Sequence, residues 1–262
     1  MKLGCICGSF NRAFEKGQLD LPAFLRHCAE GLRVAGAELQ DIHFPQTRPA
    51  YLATLRRAAA DHGLALIGVG VHNDFGLKEM TWRQAEIAKV KHWIEVAEAL
   101  GAPQVRVFAG HPQGDREQRW PAMIAALREV ADFARSAGIR LGLENHNHGA
   151  FTRTGDDQLR VLRDVGHPSL VHLLDTGNYV DGWPSIEKTA GLAAHVHAKF
   201  WKVGPDGADL TIDYPRVFGL LRQHRYDGWL SFEYEASEAE ETGVPRALGY
   251  LRRLVGEGAP AA

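Results

Sequence analysis

The stretch Leu141-Gly142-Leu143-Glu144-Asn145-His146-Asn147-His148 governs how the rest of the chain is read. A short apolar strand runs straight into a carboxylate, two imidazoles and two amides. A strand that serves only as core has no reason to end in that much polarity. A strand that ends at the mouth of a ligand site does. Strand alternation then separates the two faces: with Glu144 on one, Leu141 and Leu143 lie on the other.

Working outward, strand-like and helix-like segments alternate along the chain. Strands are predicted at Leu3–Cys7, Ala37–His43, Leu64–Val71, Gln104–Ala109, Arg140–Glu144, Leu170–Leu174, His195–Lys199 and Trp229–Glu233. Helical patterns fall between them: Leu19–Val34, Pro49–His62, Trp82–Leu100, Glu117–Ala137, Asp156–Val165, a short one near Pro184–Ala190, Tyr214–His224 and Pro245–Val255. Asp20, Thr81 and Asp213 stand where helix caps are expected, and Gly63, Gly101, Gly138 and Gly166 where helices close. Strict alternation implies parallel strands joined by right-handed crossovers, and eight such units close an α/β (β/α)8 TIM barrel. An open doubly wound sheet is the competing architecture. It is disfavoured because no Gly-x-Gly-x-x-Gly or Walker-type loop follows a strand. No linker divides the chain, so a single barrel domain over residues 1–262 is expected.

Composition is ordinary for a globular protein: 45% hydrophobic, 24% charged, formal net charge −2 over 262 residues. No basic block marks a nucleic-acid surface or an anionic-membrane surface. No apolar run approaches the ~18 residues of a membrane span. The N-terminus opens on a strand pattern, without the apolar run and cleavage site of a signal peptide. Cys5, Cys7 and Cys28 lack a framework spacing, which suits buried thiols in a reducing cytoplasm. The expected setting is therefore cytoplasmic, with small-molecule partners, no nucleic acid and no membrane. The sequence leaves a homo-oligomer open. The acidic run Glu235–Glu241 reads as a solvated loop before the last helix.

In a barrel the chemistry gathers where strands end. Strand five ends at Glu144, strand six in Leu174-Asp175-Thr176-Gly177-Asn178, and strand eight in Phe232-Glu233-Tyr234-Glu235. Strand seven carries His195-Val196-His197-Ala198-Lys199, whose two histidines and lysine share the inner face. Four successive strands thus offer a carboxylate or imidazole at one end. Glu144, Asp175, His197 and Glu233 would form a mixed oxygen/nitrogen site suited to one Mn2+, or to Mg2+, Co2+ or Zn2+. Periodicity alone leaves His195 open beside His197. By the same parity His172 faces outward and reads as structural.

These residues, with Ala37-Glu38-Leu39-Gln40, Trp93–Pro103 and Val105–Gly110, resemble the sugar isomerases and epimerases built on a xylose isomerase-like barrel. The family includes hydroxypyruvate isomerase, inosose-converting enzymes and ketose 3-epimerases. The resemblance covers essentially the whole chain. It implies a metal site of two glutamates, one aspartate and one histidine, here Glu144, Asp175, Glu233 and the second strand-seven histidine, His197. It further implies proton abstraction beside a carbonyl, with Glu144 and Glu233 as acid/base residues as well as ligands. Asn178 stands where members often carry a histidine. Candidate substrate contacts are His72, Arg106, His111, His146, Asn178, Lys199 and Trp201. The acidity after strand eight disfavours a phosphate there, so the expected substrate is an unphosphorylated keto sugar, polyol ketone or hydroxy-keto acid. Competing readings are a keto-sugar dehydratase or lyase, a non-catalytic binding barrel, and an apurinic endonuclease IV-like enzyme. The last would need three zinc ions and a basic DNA-binding face.

Overall fold

A computed structural model describes residues 1–256. The strands are β1 (Lys2–Ile6), β2 (Gly36–Gln40), β3 (Ala65–Gly70), β4 (Gln104–Val107), β5 (Arg140–Glu144), β6 (Leu170–Asp175), β7 (Ala193–Phe200) and β8 (Trp229–Tyr234). The helices are α1 (Asn11–Glu15), α2 (Leu21–Arg26), α3 (Pro49–Asp61), α4 (Met80–Leu100), α5 (Arg116–Ser136), α6 (Gly155–Val165), α7 (Trp183–Thr189), α8 (Tyr214–Gln223) and α9 (Glu240–Val255). The strands pair in sequence order, all parallel, and β8 returns to β1 to close an eight-stranded barrel. This is the (β/α)8 barrel expected from the alternation.

Alternation explains where the core lies. Leu141, Leu143, Val196, Ala198, Leu230 and Phe232 point at the helices and are fully buried. Burying each of the larger ones contributes about 1.5–3 kcal/mol. The helices answer with residues spaced three and four apart, such as Met123, Leu127, Val130 and Ala134 on α5. His172 also faces outward, where Gln158 of α6 donates from Nε2 to its Nδ1 at 2.9 Å. The opposite strand face, inside the barrel, is polar near its C-terminal end: Glu38, Glu144, Asp175, His195, His197, Lys199, Ser231 and Glu233 are all buried there. Among the described residues, no helix is long and apolar enough to cross a membrane.

Four expectations are corrected. The helical pattern Leu19–Val34 breaks after α2 into a π-helical turn over His27–Gly31. Thr81 does not cap α4, which begins at Met80 with Glu79 at the cap position and no side-chain cap bond. Cys7–Phe10 forms a 3-10 turn leading into α1, a helical stretch the pattern did not indicate. The acidic run is a loop only as far as Ala239, and Glu235, Glu238 and Glu240 are paired rather than free in solvent. Glu240 begins α9, five residues before Pro245, and is buried, accepting from the Arg12 backbone N at 3.0 Å and Arg12 Nε at 3.3 Å. Glu235 meets Lys199 at 2.6 Å, and Glu238 pairs with Arg246.

Candidate metal centre

Four strand ends bring Glu144 (β5), Asp175 (β6), His197 (β7) and Glu233 (β8) together. One ligand atom from each lies within 4.8 Å of all the others, and every one of the four residues is buried. His197 Nδ1 sits 3.2 Å from Glu233 Oε2 and 3.6 Å from Glu144 Oε2. Glu144 Oε2, Asp175 Oδ2, His197 Nδ1 and Glu233 Oε2 all lack a hydrogen-bond partner. A buried polar atom left unpaired is costly, and here four of them converge on one point. Three carboxylates and one imidazole form a hard oxygen/nitrogen donor set, the kind that takes Mn2+, Mg2+, Co2+ or Zn2+. The residues present therefore fit a divalent cation.

Neighbouring side chains also hold these carboxylates, partly through the same oxygens. Asn178 Nδ2 donates to Glu144 Oε1 at 3.1 Å. Arg106 Nε lies 3.1 Å from Glu144 Oε2, close enough for an ion pair but outside hydrogen-bond geometry. The Arg106 guanidinium also donates to Val71 O at 3.1 Å and stacks 4.3 Å over the Phe108 ring. Lys199 Nζ reaches Glu233 Oε1 at 2.9 Å and Asp175 Oδ2 at 3.3 Å. Asn145 clamps the ends of β5 and β6: it accepts from Asp175 N at 2.8 Å and donates to Asp175 O at 3.0 Å. Asp175 Oδ1 accepts from Gly177 N at 2.7 Å, so only Oδ2 faces the cluster. The close fit continues at Gly177, where a Cβ would meet Trp201 Nε1 at 2.4 Å and Lys199 Cγ at 2.6 Å.

Burial and charge act against one another here. Burial pushes Asp175 well above the usual carboxylate range, and the charges of Glu233 and Glu144 push it further, against Lys199. Burial would lower His197, but Glu38, Glu144 and Glu233 outweigh it and raise it well above an ordinary histidine. Burial would raise Glu233, but Lys199 and His197 hold it low. Burial would likewise lower Lys199, and Asp175, Glu233, Glu235 and Glu144 raise it instead. The cluster thus attracts positive charge, and metal binding at such sites displaces protons.

Above the cluster opens a cavity of about 400 Å³. The expected contacts His72, Arg106, His111, His146, Asn178, Lys199 and Trp201 all line it, along with Glu144 and Glu233. Several are already engaged. His72 Nδ1 meets Asp41 at 2.6 Å, and the Trp201 indole donates to Gly177 O at 3.2 Å. His111 lies 3.7 Å from Asp74. His146 packs edge-on against Phe108 and His111, keeps an unpartnered Nδ1, and is lowered to about 4 by burial, so it is neutral near pH 7.

Glu38, Ser231 and Asn145 carry roles that sequence reading did not assign. Glu38 and Ser231 lie beneath the cluster and bond to its histidine or to one another. His195, the other strand-seven histidine, bonds to Ser231 Oγ at 2.8 Å through Nε2 and does not reach the four-residue cluster. The signal available for Glu38 was parity: a carboxylate in mid-strand, between apolar residues of the opposite face.

Comparison with known proteins agrees with this architecture. The family described as the xylose isomerase-like TIM barrel matches residues 29–254. The chain belongs to that family. It is 26% identical to the L-ribulose 3-epimerase of Mesorhizobium japonicum over 85% of this chain and 79% of the relative. It is 27% identical to the ketose 3-epimerase of Arthrobacter globiformis over 97% of this chain and 90% of the relative. A crystal structure of D-psicose 3-epimerase in the presence of D-fructose superposes with a TM-score of 0.79 at 19% identity, covering 98% of this chain and 100% of that one. That last likeness concerns the fold.

Proposed function

We propose that this family member is a divalent-metal-dependent isomerase or epimerase. Its substrate is a small unphosphorylated keto sugar, polyol ketone or hydroxy-keto acid, and it works by proton abstraction through an enediolate. The observation that carries the reading is the convergence of four buried donor atoms without hydrogen bonds, from Glu144, Asp175, His197 and Glu233, two of which, Glu144 and Glu233, also line the cavity. The naming of relatives as ketose epimerases supports the substrate class.

Glu144, Asp175, His197 and Glu233 would hold one ion, with Mn2+ favoured for this oxygen-rich set. When bound, the ion supplies Lewis acidity that polarises a substrate carbonyl and stabilises enediolate charge. The protein supplies the proton chemistry. Lys199 and His197 keep Glu233 ionised despite burial, so its carboxylate is available to take a proton. Glu144 is oriented by Asn178 and Arg106. In epimerisation one glutamate removes the proton α to the carbonyl and the other returns one on the opposite face. In isomerisation the proton returns to the neighbouring carbon. His146, neutral near pH 7, can accept or donate to a substrate hydroxyl.

Charge argues against a phosphate. The lysine and arginine among the cavity-lining residues are Lys199 and Arg106, and both are paired with carboxylates. Glu235 adds a further negative side chain at the rim.

The test is incubation in D2O with a panel of free ketoses, their phosphates and hydroxy-keto acids, in the presence of Mn2+. The expected result is deuterium at a carbon α to the carbonyl and an epimeric or isomeric product from an unphosphorylated compound. Deuterium with loss of water would assign the chain to the dehydratases. No exchange into any compound, or a preference for the phosphates, would refute the reading.

A further inference from the structure

Glu38 lies on β2, across the barrel from the strands that carry the four-residue cluster, and is fully buried. Neither of its oxygens is exposed to solvent. Oε1 lies 3.2 Å from His197 Nε2, and Oε2 lies 3.1 Å from the same nitrogen. Ser231 Oγ lies 2.6 Å from Oε2, and His195 Nε2 lies 3.2 Å from it. A buried carboxylate is costly to desolvate, and an apolar residue would fill a barrel interior as well. Three polar side chains nevertheless converge on this one.

The proton positions follow from donor and acceptor capacity. An ionised carboxylate only accepts, so Ser231 must give Glu38 its single hydroxyl hydrogen. The 2.8 Å contact between His195 Nε2 and Ser231 Oγ is then made with the imidazole as donor. His197 Nε2 must also donate, since Glu38 is what it faces. With its proton on Nε2, a neutral His197 carries its lone pair on Nδ1, the unpartnered atom that faces Glu144 and Glu233.

We infer that Glu38 is the positioning residue of the metal centre. It fixes the His197 ring and tautomer so that Nδ1 is presented to the ion, and His195 and Ser231 serve to hold Glu38. The inference rests on the metal reading above. A carboxylate that takes the far N–H of a ligating histidine orients the ring and raises its basicity, and losing such a partner typically weakens metal affinity about 10–100-fold. The arrangement also gives His195 a role that excludes it from the ligand set, because its Nε2 is spent on Ser231.

The test is calorimetric titration of Mn2+ into chelator-stripped protein, comparing the natural chain, Glu38→Gln and Ser231→Ala. Glu38→Gln should fold and should bind Mn2+ about 10–100-fold more weakly. Ser231→Ala should lose affinity in the same direction but by less. A second readout is the ring 1H–15N spectrum of the Zn2+-loaded protein. In the natural chain His197 should show a slowly exchanging, far-downfield Nε2–H, and Glu38→Gln should abolish that signature. If the natural chain binds Mn2+ and a folded Glu38→Gln binds it within about twofold, the 10–100-fold expectation fails and the inference is wrong. A second ion held by Glu38, His195 and His197 would also overturn it. If the natural chain binds no ion at all, the metal reading itself fails. Should Glu38→Gln not fold, Ser231→Ala decides: unchanged affinity with an unchanged Nε2–H resonance overturns the proposal.

Discussion

Replacing Lys199 by methionine should destabilise the metal-free protein sharply. Lys199 is 2% exposed, and its ammonium lies 2.9 Å from Glu233 Oε1, 3.3 Å from Asp175 Oδ2 and 2.6 Å from Glu235 Oε1. Methionine keeps the length and the apolar stem but removes the charge. At an effective dielectric near 20, the contact to the ionised Glu233 amounts to about 6 kcal/mol of Coulomb energy before desolvation is subtracted, while burial holds Asp175 toward its neutral form. The Glu235 contact adds little, since that carboxylate is partly solvated. Removing one partner of a buried pair costs about 3–5 kcal/mol, the better guide because the lost ammonium also returns its own desolvation penalty. For a chain of this size 1 kcal/mol moves Tm by about 2 °C, so Lys199→Met should melt about 6–10 °C lower in the presence of a chelator. Divalent cation should recover much of the loss, because it enters among the same carboxylates. A shift below about 2 °C, or no recovery with Mn2+ or Mg2+, would refute the assignment of Lys199 as the desolvated counter-charge of this cluster.

Two further outcomes follow. Asn178→Ala removes the 3.1 Å bond to Glu144 Oε1. A hydrogen bond to a charged group contributes about 1.5–3 kcal/mol, so kcat/KM should fall roughly 10–100-fold on whichever ketose exchanges deuterium, and an unchanged value would separate Asn178 from Glu144 function. His172 is lowered to about 3 by burial. Its folded value lies below its unfolded one of about 6.5, so its contribution is complete above pH 6.5 and is lost as pH falls toward 3. Between pH 7 and pH 5 that amounts to about 2 kcal/mol, and denaturant melts of His172→Asn should show a pH-dependent loss smaller by that amount. Equal losses in the two proteins would contradict the buried neutral state of His172.

Much of this molecule is legible locally. Apolar strands and glycine-closed helices are short-range patterns. Gly101 (φ 73°) and Gly166 (φ 60°) take up the left-handed conformation that ends α4 and α6. The four candidate ligands were legible because parity and strand ends select them without knowledge of distant partners. What escaped depends on contacts between remote segments. The stretch Cys7–Glu15 is ordered by the other end of the chain: Ser9 Oγ donates to Phe232 O at 3.0 Å, and Arg12 holds Glu240. The same long-range pairing makes Glu240 a helix start when Pro245 looked like the natural signal. The role of Glu38 is invisible along the chain, because His197, which it faces, lies 159 residues away in sequence. Arg106 and Asn178 were expected to contact substrate. Both line the cavity, but both are also occupied by Glu144, a relation that spacing along the chain does not reveal.

Glu144, Asp175, His197 and Glu233 are proposed to form one divalent-cation site. Its most direct test is the number of Mn2+ ions retained per chain after loading and dialysis, measured by elemental analysis on the natural protein and on Asp175→Asn. The expected result is one ion per chain in the natural protein and a loss of most of it in a folded Asp175→Asn. No retained ion, three ions per chain, or equal retention by Asp175→Asn would contradict it.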